Sequence, residues 1–247
     1  MRSGTLTLSF ILILIGTSFA SAQSNAQFVK ANKEFAAGDF DRAARSYEEL
    51  VRSGKDTPNL FYNLGNAYFR KKDFGRAILN YERTLALDPR HPEAQANLRI
   101  ARDEARALEL VPTKMERLFA VATPNQYVAA TAIAFWISAF SIFALIFYSR
   151  RNFRVIALLF LSSLIFALTA VAAWELERGK NGRGLAIVTA ENADARLATA
   201  DTANRVLALP AGSEIRILSE RGDWIYAALP NNLRGWMPAK SAEHVRM

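Results

Sequence analysis

The 247-residue chain contains no cysteine and only two histidines, His91 and His244. Without thiols there is no disulfide framework, thiolate zinc site, cysteine nucleophile or cysteine for lipid attachment. Neither histidine has a nucleophile and an orienting carboxylate beside it in sequence, and no carboxylate pair sits in an apolar setting. Phosphate-binding loops are missing too. GKNGRG over 179–184 lacks the Walker spacing, and no strand precedes it. Asp73-Phe74-Gly75 reads as a turn between two helices, not as a kinase triplet. The chain is therefore expected to have no catalytic residues, cofactor, metal or small-molecule substrate. Charge is not concentrated either. Residues 23–126 carry 17 basic and 14 acidic side chains, and 175–247 carry 10 and 9. The net charge of +8 is spread thinly, which argues against nucleic acid as a partner.

What the chain does have is three long apolar runs. Leu6 to Phe19 follows Arg2 and precedes Ser-Phe-Ala-Ser-Ala, ending at Ala22. A basic start, a short apolar stretch and small residues read as a signal peptide over 1–22. The alternative is an uncleaved signal anchor. Residues 127–148 and 155–174 are uncharged and long enough to cross a bilayer, which takes about 20 apolar residues. Tyr127, Tyr148 and Trp174 stand at their ends, where amphipathic rings favour the headgroup layer. The loop 149–154 between them holds Arg150, Arg151 and Arg154, which marks it as cytoplasmic. The flanking N- and C-terminal segments are then both extracytoplasmic, as an exported N-terminus independently requires. No charge lies inside either span, so the hairpin reads as an anchor in contact with membrane lipid rather than a transport path.

Residues 24–57 and 58–91 align with a period of 34. In the second copy Phe61, Leu64, Gly65, Tyr68, Ala77, Tyr81 and Pro89 occupy a recurrent pattern. Gly65 lets two helices approach, Leu64 and Tyr68 share a face, and Pro89 stops the second helix. This resembles the tetratricopeptide repeat (TPR). The first copy is looser, with Ala31 for the glycine. Residues 92–110 follow as an amphipathic capping helix, so 23–110 reads as two repeats plus a cap. About three units are usually needed for stability, so the array is expected to lean on the membrane or a partner. The resemblance implies a peptide-binding groove lined by the first helix of each repeat: Phe28, Asn32, Phe35, Tyr62, Asn63, Asn66, Phe69 and Arg70. Purely structural roles for these residues are the alternative. Asn32 and Asn63 match a carboxylate-clamp pattern, but Phe28, Glu93 and Asn97 replace its basic residues.

Residues 111–126 place Met115, Leu118, Phe119 and Val121 beside Lys114 and Arg117, as a short amphipathic helix at the membrane surface or a linker. After a polar linker, 175–184, residues 185–247 alternate in short stretches. Five strands are expected: 185–189, 205–209, 214–218, 224–228 and 235–237. LPAGSEIRIL, GDWIYAAL and RGWMPAKSAEHV resemble a bacterial SH3-like domain. The resemblance implies a contact surface of Trp224, Tyr226, Trp236 and Pro238, whereas the plain reading of both tryptophans is core packing. Arg196 matches an arginine of the bacterial pattern. Ser241 stands where eukaryotic SH3 grooves carry tyrosine, which argues against polyproline binding of that kind.

The expected architecture is thus multidomain: an α-helical TPR array, a two-helix transmembrane hairpin and a small all-β SH3-like barrel. This order resembles the TPR-and-SH3 membrane proteins of bacterial aerotolerance (Bat-type) operons. That resemblance implies an inner-membrane, non-enzymatic adaptor whose periplasmic modules bind envelope proteins, among them von Willebrand factor A-type membrane proteins of a MoxR ATPase system. The alternative is a cell-wall sensor whose SH3-like domain binds peptidoglycan.

Overall fold

The computed structural model describes residues 25–147, 153–180 and 182–246. The signal peptide and residues 149–152 of the expected cytoplasmic loop lie outside them. Among the described residues five helices come first: α1 (25–36), α2 (Phe40–Arg52), α3 (Pro58–Arg70), α4 (Phe74–Leu87) and α5 (Pro92–Ala105). Their boundaries repeat at 34 residues because the capping chemistry repeats. Asp39 and Asp73 each accept an N–H at the start of α2 and α4, from Arg42 and Arg76 at 3.1 Å. Thr57 caps α3 and His91 caps α5, its Nδ1 accepting the Ala94 N–H at 3.3 Å; a proline follows each in the first turn. Both inter-helix turns need a left-handed residue. Gly38 supplies it in the first, and Lys72, at φ 64°, in the second. Phe35 meets Phe40 and Phe69 meets Phe74 edge-on, at 5.3 and 5.5 Å, so each turn is clamped alike. A Cβ on Gly65 would lie 2.7 Å from the Tyr81 ring, so α3 and α4 approach only because that position has no side chain.

A short helix, α6 (Lys114–Phe119), precedes two long ones, α7 (Pro124–Phe147) and α8 (Phe153–Arg178), each long and apolar enough to cross a membrane. They run antiparallel. Ser138 meets Ser162 at 2.8 Å and Thr131 meets Thr169 at 2.9 Å, and each hydroxyl also bonds a carbonyl one turn back in its own helix. The contact face is small, with Ala134, Ser141, Ser162 and Ala172 buried, while Phe135, Trp136, Phe140, Phe143 and Phe160 point outward. Replacing Ser138 with alanine is expected to cost about 0.6 kcal/mol, the mean for such bonds in membrane helices. Thermal unfolding in detergent measures this, and a loss above about 2 kcal/mol would assign the pair a larger role.

The C-terminal segment is a seven-stranded antiparallel sheet: β1 (Leu185–Val188), β2 (Asn192–Arg196), β3 (Arg205–Pro210), β4 (Glu214–Arg221), β5 (Trp224–Ala228), β6 (Arg234–Pro238) and β7 (Ala242–His244). The order is β3-β2-β6-β5-β4-β1-β7. Two strands exceed the five expected. β2 hides its alternation in weak strand formers: Ala193 and Ala195 point inward, Asn192, Asp194 and Arg196 outward. β7 has three residues and pairs only with β1. The sheet core gathers Val188, Leu209, Ile215, Ile225, Leu229 and Met237.

The sheet is not a separate body. Leu185, Ile187 and Val245 on its outer face join the repeat core beside Ile78, Leu79 and Leu98. Two glycines permit this fit. A Cβ on Gly75 of α4 would lie 3.1 Å from Ala211 and from the Val188 carbonyl, and one on Gly212, at φ +87°, would lie 2.3 Å from Ile78. The segment after α5 bridges the two, Leu108 accepting the Glu214 N–H at 2.8 Å. α6 ties in the hairpin: the buried Glu116 closes a capping box with Thr113, accepts the Lys180 N–H at 3.2 Å and lies 3.6 Å from Arg216. Repeats and sheet therefore sit at the same end of the hairpin.

Candidate functional site

The first-helix residues of the repeats fall into two groups. Asn32 accepts from the Tyr47 hydroxyl at 2.6 Å and from the Asn63 amide at 3.2 Å. Thirty-four residues on, Asn66 accepts from the Tyr81 hydroxyl at 2.8 Å and from Asn97 at 2.9 Å. Asn97 also donates to the Tyr62 hydroxyl at 3.3 Å, and Tyr62 stacks on His91 with centroids 4.9 Å apart. Phe28 packs against Tyr47 at 5.9 Å. This group forms a ladder of amides along α1, α3 and α5, tied by phenols from α2, α3 and α4. Burial pushes Tyr47 up to about 12, partly offset by Asn63, and burial likewise raises Tyr81. Both phenols therefore stay protonated and donate, which holds the asparagine oxygens inward. Phe35, Phe69 and Arg70 form the second group, at the turns; Arg70 lies over the Phe40 ring at 4.4 Å.

The ladder adds two residues that were not among the candidates, Asn97 and His91. Both were legible: they stand 34 residues after Asn63 and Thr57. Against a basic clamp position Asn97 is a departure; as a third rung it is a repetition.

On the sheet, strand alternation separates the candidates from the core. Ile225, Ala227 and Met237 point inward, while Trp224, Tyr226, Trp236 and Pro238 share the outer face, all half-buried. Trp224 pairs with Pro238 and Tyr226 with Trp236 across β5 and β6. The Tyr226 and Trp236 rings lie 5.0 Å apart and 38° from parallel. This same outer face, farther along the sheet, docks on the repeats at β1. The tryptophans thus cover the sheet from outside rather than filling its core.

Between repeats and sheet lies a cluster of charges. Arg102 of α5 contacts Glu82 of α4 and Glu214 of β4, and reaches Glu109 at 3.4 Å. Lys180 meets Glu109 at 3.1 Å and Glu214 at 3.0 Å. Glu214 is 1% exposed and also accepts the Leu110 N–H at 2.9 Å. Burial above all, with Glu214 and Glu109 beside it and against the pull of Arg102 and Lys180, raises Glu82 to about 7.

A tetratricopeptide repeat family model matches residues 28–92 and, in an overlapping placement, 62–107. Residues 28–107 are therefore TPR repeats, a non-catalytic protein-interaction fold. No curated protein matches the chain.

Proposed function

We propose that this protein is a membrane-anchored, non-enzymatic adaptor whose TPR groove holds an extended segment of an envelope partner protein. One observation carries the reading: the sheet packs on Gly75, Ile78 and Arg102 of α4 and α5, while Asn32, Tyr62, Asn63, Asn66 and Asn97 of the ladder bond within the repeats and stay partly exposed. The array is thus braced by the sheet without its ladder residues being used for that contact. The apolar outer surface of α7 and α8 supports the anchor, the common end of the hairpin supports placing both modules on one side of an inner membrane, and the arginines of the 149–154 sequence support the periplasmic side. The order of segments supports partners among von Willebrand factor A-type proteins of a MoxR-type system. The half-exposed aromatic rows on the SH3-like sheet favour a second reading, a cell-wall sensor, which co-sedimentation of the full chain with purified sacculi tests.

The first reading is tested by placing a photo-crosslinking phenylalanine at Tyr62, and separately at Leu87, which is 49% exposed on α4. In intact cells, discrete protein adducts are expected from Tyr62 and none in common from Leu87. The same adducts from both positions, or none from Tyr62, would overturn it.

A further inference from the structure

The outer face of β2, β4, β5 and β6 carries aromatic rings inside a border of arginines. Arg221 stands opposite Trp224 on β4, and Arg234 opposite Ala228, the residue two beyond Tyr226. Arg196 stands opposite Trp236 on β2, with Arg205 beside it on β3. Opposite residues in a ladder project on the same face, so all four surround the rings. Acidic side chains are few there. Asp194 lies between Arg196 and Arg205, at 3.3 and 3.5 Å, and Asp223 sits in the β4–β5 turn. Arg221 and Arg234 are exposed, at opposite ends of the aromatic rows.

We propose that this face binds an acidic, extended segment of a partner protein; this rests on the adaptor reading above and extends it to the sheet. The charge of the border sets the sign of the ligand. A guanidinium fork matches a carboxylate in plane, and rings beside it lower the local dielectric that screens the pair. The dimensions suit an extended chain. Arg221 and Arg196 are separated by three strand spacings, about 14 Å. Alternate side chains of an extended segment recur at about 7 Å, so four to six residues span the border. A glycan fits less well. A sugar ring needs an open aromatic face, but Tyr226 and Trp236 lean on each other, and Arg221 lies 5.9 Å over the Trp236 ring. The polar surroundings of Trp236 are guanidinium groups, which call for carboxylates rather than hydroxyls.

The test uses the full chain in detergent micelles and fluorescein-labelled octaglutamate, followed by anisotropy. Saturable binding is expected, with octaglutamine at least tenfold weaker. Arg221→Glu with Arg234→Glu should weaken octaglutamate at least tenfold; Arg221→Gln with Arg234→Gln should weaken it less. Arg45→Glu with Arg99→Glu, which removes the same charge from exposed repeat positions, should leave it unchanged. Tryptophan fluorescence should change on binding, and change less in Trp236→Phe. Equal loss in the Arg45 and Arg99 variant would reduce binding to net charge and overturn the proposal. So would octaglutamate binding no tighter than octaglutamine, or co-sedimentation of the wild type with sacculi that the Arg221→Glu, Arg234→Glu variant loses. Because Tyr62 adducts report on the repeat groove alone, the two readings can fail separately.

Discussion

Replacing Glu214 with alanine is expected to destabilise the protein by about 3 kcal/mol, the low end for breaking a buried charge pair. The side chain is 1% exposed and joins three parts of the molecule. One oxygen meets Arg102 of the repeats; the other meets Lys180, two residues beyond α8, and the Leu110 N–H of the connector. Alanine leaves that N–H without its acceptor and frees Arg102 and Lys180 from the sheet. Glu82 and Glu109 still face Arg102, which keeps the loss from being larger. The sheet retains its own core of Val188, Ile215, Ile225 and Met237, so the damage falls on the junction. Trypsin cleavage at Arg106 should therefore accelerate together with the drop in thermal unfolding temperature. Glu214→Gln, which keeps the shape and an acceptor for Leu110, should fall in between. Stability within 1 kcal/mol of wild type in the alanine variant would show that the junction does not depend on this carboxylate.

The junction also resolves the shortage of repeats. Two TPR units and a cap expose an apolar end, and here Leu185, Ile187 and Val245 cover it. The repeat pattern itself was readable because each reason for it is local: a cap at Thr57 recurs at His91, and a staple at Phe35 recurs at Phe69. The junction was not readable, because its contacts between repeats and sheet join residues more than 100 apart. Glu214 looks in sequence like any charged residue opening a strand. Gly75 and Gly212 look like turn glycines, and only Gly212 has a conformation that explains it without the contact. The aromatic face was readable in part. The alternation Trp224-Ile225-Tyr226-Ala227 already places Ile225 and Ala227 on the opposite side from the rings. Judging by side-chain size instead favours the core for both tryptophans. The order of the strands decides the matter, since it needs β2, whose Asn-Ala-Asp-Ala-Arg gives little strand signal.

The same charge cluster gives the fold a pH dependence of unusual sign. Among the described residues, Glu82, Glu109 and Glu214 share Arg102 and Lys180 as their cationic partners. Burial and the two neighbouring carboxylates raise Glu82 from an ordinary value of 4.5 to about 7. The folded state therefore holds a proton over a range in which the unfolded chain has released it. Its contribution to stability is complete below about 4.5 and is lost as the pH rises through 7. At about 1.4 kcal/mol for each pH unit, the total loss is about 3 kcal/mol. Most paired carboxylates act in the opposite sense and stabilise as they ionise. Glu82→Gln fixes the protonated shape permanently. The variant is expected to match wild type near pH 5 and to exceed it increasingly toward pH 8, by up to about 3 kcal/mol. Denaturant unfolding of both proteins in detergent across that range measures the difference. Parallel curves would mean that Glu82 takes up no proton on folding.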